Sequence, residues 1–435
     1  MRPLALAAAF VLLALPAVAS ASTIGVNPPA QSITRERIET LPAAQRKAWM
    51  AYLDRSQHQR ANDKSTFAAE LKRAGVTTPT DPAHSFGARS VPLGRDATWY
   101  ATPAARHIAD VVVSFQTPAG GWGKNMDMSK DVRRLGERYV PNNLSHFLEP
   151  GDFDAPREPE WNYVGTIDND ATTTQIRFLA KVIAATGAGT DAAAWRASFI
   201  RGVNYLLDAQ FPNGGWPQVW PLEGGYHDAI TYNDNAMTQA MEVMRDVAQG
   251  TGDYAFAPKA LRARAAASFA HGIRCILATQ IVEDSKLTGW PQQDDALTLQ
   301  PTSGRDYEMP AISSGESADI LLLLIDDLPQ PNAAEQRAIR AAAAWFRKTA
   351  VNGENYQRTP HGRDLVPVSD AGPLWSRFYQ VGTDRPIFGD RDKTIHDNLE
   401  DLSLERRNGY SWFDAAPRHV LDRYARWAQE HPESK

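Results

Sequence analysis

Cysteine is nearly absent from the 435-residue sequence, which contains only Cys275. A single cysteine rules out an intramolecular disulfide, and its apolar surroundings in GIRCILATQ predict a small buried residue rather than a nucleophile. An excess of basic residues is also lacking, because 46 Lys and Arg stand against 51 Asp and Glu, a net charge of −5. This balance gives no reason to expect a nucleic acid partner, so any anion-binding site must be local.

Long apolar runs are lacking everywhere except at the N-terminus. There, Arg2 precedes an apolar run from Leu4 to Val18, and small residues follow as far as Ala21. This three-part pattern predicts a secretory signal over residues 1–21, and hence a secreted or periplasmic protein without membrane contact after cleavage. An uncleaved membrane anchor is the alternative, although the run is short for a bilayer span.

The remaining chain divides into a lead-in and a larger domain. Residues 22–100 are predicted to supply helices that pack on the outside, followed by an extended, proline-containing connection. Residues 101–435 are predicted to form the catalytic domain. Within it, Asn352 to Arg391 is proline-containing and irregular, and such a long segment late in a compact domain is more often functional than structural.

Three apolar segments of this domain end alike, in a glutamine, a turn and a tryptophan. They close as SFQTPAGGW, DAQFPNGGW and ATQIVEDSKLTGW, ending at Trp122, Trp216 and Trp290. Such a degenerate repeat, alternating with other helical segments, predicts inner and outer helices around an axis. The predicted fold class is therefore mainly all-α, an incomplete (α/α) toroid of helical hairpins whose long loops form a groove. A plain helical bundle with glycine C-caps is the alternative.

Two clusters of oxygen-bearing side chains precede apolar helical patterns. The first is Asp168, Asn169 and Asp170 in TIDNDATTTQIRFL, and the second is Asn233, Asp234 and Asn235 in YNDNAM. Either cluster alone is well explained as a helix N-cap. Taken as a pair, they are interpreted as two helix starts that face one cleft, where hard oxygen donors suit a calcium-sized cation.

Positively charged residues lie in the turns, beside glycine, proline or aromatic residues. An arginine forms a bidentate fork with a carboxylate, so several of them beside a cation suit a polyanion with carboxylates on successive units. Surface ion pairs are the alternative for each residue taken singly. The candidates for substrate binding, with two nearby aromatic residues for stacking on sugars, are Lys124, Arg305, Arg377, Arg385, Tyr232 and Tyr307, and Arg391 is a further arginine of this group.

A chain of uronic acids would fit these residues and allow a lyase reaction. Its C5 hydrogen lies alpha to a carboxylate, and a cation with guanidinium groups at that carboxylate would stabilise the charge formed when the proton leaves. Loss of the C4 oxygen then completes a β-elimination. An arginine acts as base only where positive charge, poor solvation and an alkaline medium supply its neutral form, because guanidinium is otherwise protonated.

At these motifs the sequence resembles the family ten polysaccharide lyases, the calcium-dependent pectate lyases with an incomplete (α/α) toroid. The resemblance extends from about Gly120 to Asp392 and rests on TIDNDATTTQIRFL, QFPNGGWPQVWPLEGGYHDAITYNDNAM, SGRDYEMP and GTDRPIFGDRD. It implies a groove for polygalacturonate and a Ca²⁺ cofactor, and we expect a monomer. It also implies individual roles: Arg391 as the catalytic base, Asp168, Asn169 and Asp234 as calcium ligands, and Lys124, Arg305 and Arg377 as carboxylate binders.

Two other functions remain open at this point. An inverting glycoside hydrolase would use a protonated and an ionised carboxyl group, such as Asp168 with Asp234 or Glu308, and would need no metal. An exported uronate-binding protein would hold polygalacturonate without shortening it. A new carbon–carbon double bond in the product distinguishes the lyase from both. For the second calcium-binding loop, Asn233 or Asn235 is an alternative to Asp234 as the ligand.

Overall fold

The computed structural model describes residues 22–141, 148–155, 164–187, 189 and 191–432. The predicted signal at residues 1–21 lies outside these ranges and stays a prediction. No helix in the described ranges has both the length and the apolar character that a bilayer span requires. Cys275 is buried, in agreement with the sequence-based expectation.

Helices form wherever apolar residues recur on one helical face. The described residues contain eleven α-helices: α1 Arg35–Glu39, α2 Ala43–Ala74, α3 Pro103–Ser114, α4 Thr173–Thr186, α5 Asp191–Ala209, α6 Ala236–Gln249, α7 Lys259–Thr279, α8 Ser314–Asp327, α9 Ala333–Thr349, α10 Leu404–Gly409 and α11 Ala416–Glu430. Neighbouring helices pack in pairs, α4 on α5, α6 on α7, and α8 on both α9 and α11.

Short strands accompany the helices throughout. Over the same ranges they are β1 Thr23–Val26, β2 Gly165–Thr166, β3 Val219–Trp220, β4 Ile230–Thr231, β5 Val282–Glu283, β6 Lys286–Leu287, β7 Trp290–Pro291, β8 Gln293–Asp294, β9 Ile312–Ser313, β10 Glu354–Thr359, β11 Gly362–Pro367, β12 Trp375–Ser376, β13 Phe378–Gln380, β14 Arg385–Pro386, β15 Phe388–Gly389, β16 Thr394–His396 and β17 Phe413–Asp414. All pairings among them are antiparallel, in sheets ordered β1-β16-β15, β14-β13-β9-β7, β10-β11, β12-β17, β2-β3, β4-β8 and β5-β6.

The predicted all-α toroid is therefore wrong, since helices alternate with small antiparallel sheets. The physical reason is that the tryptophan corners, which the sequence-based prediction treated as turns between helices, are extended and pair with the segment before the next helix. Trp290 pairs with Ser313, just ahead of α8, and Trp375 pairs with Asp414, just ahead of α11. Most of these strands have two residues, too few to give an alternating apolar pattern.

The internal repeat itself recurs in the hydrogen bonds. The indole Nε1 of Trp122 donates to the Val112 carbonyl at 2.7 Å, and Trp216 and Trp290 each donate to a carbonyl of the preceding helix at the same distance. Trp375 does so to Phe346 at 2.8 Å and forms a fourth corner that the sequence analysis missed. Each corner fixes the end of one helix against the next sheet segment.

The glutamine of each corner connects neighbouring repeats. The Nε2 amide of Gln116 donates to Gly120 in its own turn and to Ser198 on α5, and Gln210 does the same with Gly214 and Ser268 on α7. Gln280 repeats the pattern a third time. Because each glutamine donates to carbonyls on two elements at once, the corners connect successive helices.

The lead-in shares the main hydrophobic core. The rings of Trp49 and Tyr52 on α2 lie 5.3 and 5.1 Å from the ring of Phe211, between α5 and β3. One contiguous set of buried residues extends from Ile33 to Trp427. Residues 22–100 therefore stabilise the body of the protein directly, and the division at residue 100 stays a prediction.

Candidate active site

The first oxygen cluster forms a tight turn between β2 and α4. Asp168–Asp170 is a 3-10 turn in which Asn169 has φ +50° and Asp170 has φ +64°, a left-handed conformation that asparagine and aspartate tolerate well. The carboxylate of Asp168 is buried, and its Oδ2 forms an ion pair with Lys124 Nζ. Its Oδ1 is buried and has no hydrogen-bond partner among the described residues. A buried carboxylate oxygen without a protein partner is suited to coordinating a cation.

The second oxygen cluster repeats this turn between β4 and α6. Asn233–Asn235 is again a 3-10 turn, in which Asp234 has φ +50° and Asn235 has φ +61°. By position, Asn233 therefore corresponds to Asp168. The side-chain oxygen of Asn233 is likewise buried without a partner among the described residues, and its amide lies 3.3 Å from Asp234 Oδ2. The two turns contact each other, so the predicted pair of helix starts does meet.

The two aspartates have opposite pKa shifts. Burial favours the neutral form of Asp168, but Lys124 and then Arg305 more than offset this effect and hold its pKa below the usual range. Asp234 is exposed at the surface, yet the protein around it still reduces its solvation, and this desolvation followed by the charge of Asp168 raises its pKa to about 6. Two carboxylates that repel each other, beside unpartnered oxygens, suit a bound cation.

An arginine cluster lies opposite, built around two tyrosine rings. We define it as Arg305, Arg377, Arg391 and Arg406. The guanidinium carbons of Arg305, Arg391 and Arg406 lie 4.9, 5.4 and 4.3 Å from the Tyr307 ring centroid, and Arg377 lies 4.5 Å from that of Tyr410. Cation–π contacts with electron-rich rings allow four positive groups to lie close together. Sequence reasoning missed Arg406 and Tyr410, which lie on or just after α10.

Each predicted arginine of the cluster also has a carboxylate partner. Arg305 Nη2 lies 2.5 Å from Glu308, Arg391 Nε lies 2.7 Å from Glu405, and Arg377 Nη2 lies 3.4 Å from Glu316. Burial opposes ionisation of Glu308, yet Arg305 lowers its pKa to about 2. Glu308 is therefore ionised at neutral pH and is unsuited to the general-acid role that the hydrolase interpretation assigned to it.

The charges of the two sides interact, which indicates that both border one cleft. Arg305 is the arginine whose charge acts on both Asp168 and Asp234, and Arg377 acts on Asp234. Arg391 pairs with Glu405, and its side chain is 29% exposed, against 34% for Arg305. Both guanidinium groups lie over the Tyr307 ring, so Arg391 belongs to the same arginine side.

Two of the predicted substrate-binding residues are not brought into this group. Arg385, on β14, is an exposed residue whose guanidinium pairs with Asp397 at 2.7 Å. Tyr232 is 1% exposed, and its hydroxyl forms a 2.7 Å hydrogen bond with Thr279 on α7. A ring buried in the core has no face for a sugar, whereas the Tyr307 ring does lie among the arginines.

Further polar residues of the site follow from the repeat. The residue two positions after each corner tryptophan is Lys124, Gln218, Gln292 or Arg377. The first and last belong to the two sides described above. The side-chain oxygens of Gln218 and Gln292 and Nε of Arg377 are buried without hydrogen-bond partners among the described residues. The recurring Trp-x-Lys/Gln/Arg pattern was the sequence signal that could have found both glutamines.

Comparison with known proteins identifies the family. A family model described as pectic acid lyase matches residues 116–421. The chain belongs to the pectic acid lyase family. Two solved structures of a family 10 polysaccharide lyase from Cellvibrio cellulosa, one a point mutant in complex with trigalacturonic acid, superpose on this pectate lyase with TM-scores of 0.63. Each is 30% identical and matches 80% of this chain, which covers 100% of the mutant and 98% of the other structure.

The family resemblance inferred from the motifs is thereby confirmed, and so is the pectate lyase function. No curated protein matches the chain. As a pectate lyase, the enzyme has no use for the paired acid and base of a glycoside hydrolase, and it turns over its polysaccharide rather than only binding it. Both alternatives left open by the sequence are therefore set aside.

Proposed function

We propose that this pectate lyase cleaves polygalacturonate by calcium-assisted β-elimination, with an arginine as the base. The observation that carries the proposal is the buried, unpartnered Oδ1 of Asp168, whose carboxylate is close enough to Asp234 and Arg305 for their charges to interact. One side of the cleft can hold a cation, and the other can neutralise a substrate carboxylate. These are the two requirements for removing a proton alpha to a carboxylate.

We propose Asp168, Asn169 and Asp234 as the residues that hold Ca²⁺. All three offer hard oxygen ligands, and calcium commonly combines carboxylates with amide oxygens and water. Within the described ranges no group of three or more His, Cys, Asp or Glu side chains is arranged for a metal, so an amide ligand and substrate oxygens complete the set. Asn233 is the best-supported addition, because its oxygen is unpartnered. When bound, calcium supplies charge stabilisation at the uronate carboxylate.

Lys124, Arg377 and Tyr307 are proposed to bind the uronate chain. Lys124 lies at the oxygen side through its pair with Asp168, and the buried Nε of Arg377 has a proton to donate. The related Cellvibrio enzyme was captured with trigalacturonic acid, a ligand with one carboxylate on each sugar. Lysine and arginine at separate points of the cleft suit such a repeating anion.

The base is proposed to be an arginine of the cluster, and two of them compete for this role. Arg391 is the residue that the motif resemblance implies. Arg305 is better supported by the electrostatics, because its charge lowers the pKa of both Asp168 and Asp234, where the reacting carboxylate would be held. Burial works to lower the pKa of Arg305, but Glu308 more than offsets this and raises it. The neutral base therefore requires an alkaline medium, so activity should rise with pH.

We further propose that the enzyme acts outside the cytoplasm, as a monomer. The pattern over residues 1–21 supports export, and a polysaccharide substrate supports a secreted or periplasmic location.

Incubation with polygalacturonate, with and without a chelator, tests the proposal. We expect ultraviolet-absorbing unsaturated products in the presence of calcium and their loss with the chelator. Readdition of calcium should restore the rate. Unsaturated product at an undiminished rate after exhaustive chelation would contradict the role of the metal. Saturated products would contradict the elimination.

A further inference from the structure

A further opening adjoins the first oxygen cluster, and neither Tyr307 nor Tyr410 lines it. It has a volume of about 410 Å³, and its walls include Phe86, Arg89, Leu93, Asn169, Asp170 and Thr174. Asn169 and Asp170 thus have one side in the active site's calcium-binding turn and another in this opening. A polysaccharide chain that leaves the turn on this side would enter the opening.

The far wall carries an exposed aromatic ring and a positive charge. Phe86 is 72% exposed, and the guanidinium carbon of Arg89 lies 4.7 Å from its ring centroid. No carboxylate of a described residue pairs with Arg89, in contrast to the arginines of the cluster. An exposed ring suits the apolar face of a sugar, and an unpaired guanidinium suits its carboxylate.

The segment that carries these residues is fixed to the active site. Asn125, next to the site residue Lys124, accepts 2.9 Å hydrogen bonds from the Ser85 and Gly87 amides, through its backbone and side-chain oxygens respectively. The Ser90 hydroxyl donates to the Met126 carbonyl at 2.9 Å. Hydrogen bonds on both sides of Phe86 and Arg89 hold the wall in register with the site, so the opening is part of a preformed cleft.

The carboxylate of Asp170 also lies on the wall, and its contacts decide whether a uronate is tolerated there. Its Oδ1 accepts a hydrogen bond from Gln239 on α6, a residue that does not line the opening. The carboxylate of Asp170 is therefore hydrogen-bonded, whereas the guanidinium of Arg89 has no carboxylate partner among the described residues. A bound uronate would place its own carboxylate on Arg89.

We propose that Phe86 and Arg89 form an additional subsite for a uronate unit of the same polysaccharide, with the sugar on the ring and its carboxylate on the guanidinium. The inference rests on the proposed function, because it extends the cleft of that enzyme. Phe86 and Arg89 precede the region 116–421 that the family model matches, so the subsite would join the N-terminal segment to the matched region.

Chain-length dependence tests the subsite. In the parent enzyme, KM should fall as the substrate is lengthened from trigalacturonate to polygalacturonate. In Arg89→Ala and Phe86→Ala, KM for polygalacturonate should rise about three- to tenfold, the range of a single exposed charge or stacking contact, while kcat stays unchanged. Phe86→Tyr keeps the ring and should behave like the parent. Arg337→Ala, an exposed arginine on α9, is the matched control.

The outcomes separate this inference from the proposed function. If the parent makes no unsaturated product, the proposed function fails and the subsite fails with it. If the parent is active and Arg89→Ala has the same KM for every chain length, only the subsite is overturned. A loss of kcat on all substrates in Arg89→Ala would also overturn it, because a remote binding contact should not alter the chemical step.

Discussion

The oxygen side and the arginine side of the cleft are made in different ways. The oxygen side comes from two short turns with the same backbone, in which Asn169 and Asp234 share φ +50° and each turn leads into a helix. The arginine side is assembled from segments before β9, within β12–β13, after β15 and on α10. One side is a repeated local structure, and the other is a product of tertiary packing.

This difference has a chemical consequence. The two turns keep one geometry but exchange aspartate and asparagine, so that Asp168 and Asp234 occupy non-equivalent positions and have opposite pKa shifts. The arginines instead share two rings, Tyr307 and Tyr410. Substitution of one turn residue should therefore weaken calcium binding without abolishing it. Substitution of Arg305, the central arginine, should instead abolish most of the turnover.

The largest effect is expected on the arginine side. Arg305→Ala should lower kcat by about 10²- to 10⁴-fold, the usual contribution of a positioned acid or base, and leave calcium binding measurable. Arg391→Ala should cost less if Arg305 is the base and Arg391 only binds substrate. The two variants should be compared by initial rates of unsaturated-product formation at alkaline pH, with circular dichroism as the check on folding.

The same pair of variants decides whether Arg305 or Arg391 is the base. Full loss of turnover in Arg391→Ala, together with substantial activity in Arg305→Ala, would return the role of base to Arg391. Arg305→Lys is a useful third variant, because it keeps a positive charge but loses the fork that pairs with Glu308. Retained kcat in this lysine variant would show that the guanidinium fork is dispensable, because a lysine amine can supply either the charge or the base.

A smaller effect is expected on the oxygen side. Asp168→Asn keeps the shape of the side chain but removes the charge. The calcium concentration needed for half-maximal activity should rise by at least about tenfold, a typical cost in metal affinity when a supporting group is lost. Asp170→Asn in the same turn is the control, because Asp170 contacts Gln239 and not Lys124. Calcium titration curves that coincide for Asp168→Asn and the parent would remove Asp168 from the ligand set.

The comparison also explains what could be read from the sequence. Oxygen residues adjacent in sequence before a helix start remain adjacent in space, so Asp168 and Asp234 could be predicted to meet. Arg406 and Tyr410 lie far in sequence from Arg305, and nothing local marks them as its neighbours. The sheets could not be predicted because two-residue strands such as Trp290–Pro291 are too short to show an alternating apolar pattern. The burial of Tyr232 could not be predicted because the sequence alone does not distinguish an aromatic residue of the core from one that lines a cleft.

A pH effect separates the two aspartates. In the calcium-free protein, Asp234 keeps its proton up to about pH 6, against about 3.8 for an ordinary aspartate. The folded protein therefore binds more protons in this window, and the contribution of Asp234 to stability falls as the pH rises through it. Calcium needs the ionised form, so calcium affinity should fall up to about tenfold for each pH unit below 6.

Calcium titration followed by tryptophan fluorescence at pH 5 and pH 7 measures this effect without relying on turnover. Asp234→Asn should bind calcium more weakly at pH 7 and lose most of the difference between the two pH values. Asp168 has a lowered pKa and stays ionised at both. An unchanged pH dependence in Asp234→Asn would assign the titration to another group and favour Asn233 as the ligand from that turn.

The smallest effect is expected for Arg385, which tests the boundary of the arginine side. Its guanidinium is exposed, pairs with Asp397 and contacts Gln380, and has no ring contact with Tyr307 or Tyr410 among the described residues. An exposed pair of this kind contributes about 1 kcal/mol or less, so Arg385→Ala should leave kcat unchanged and KM within about twofold of the parent. A tenfold rise in KM for polygalacturonate would mean that the substrate extends past Arg391 to the edge of β14, and that the arginine side is longer than the two tyrosine rings define.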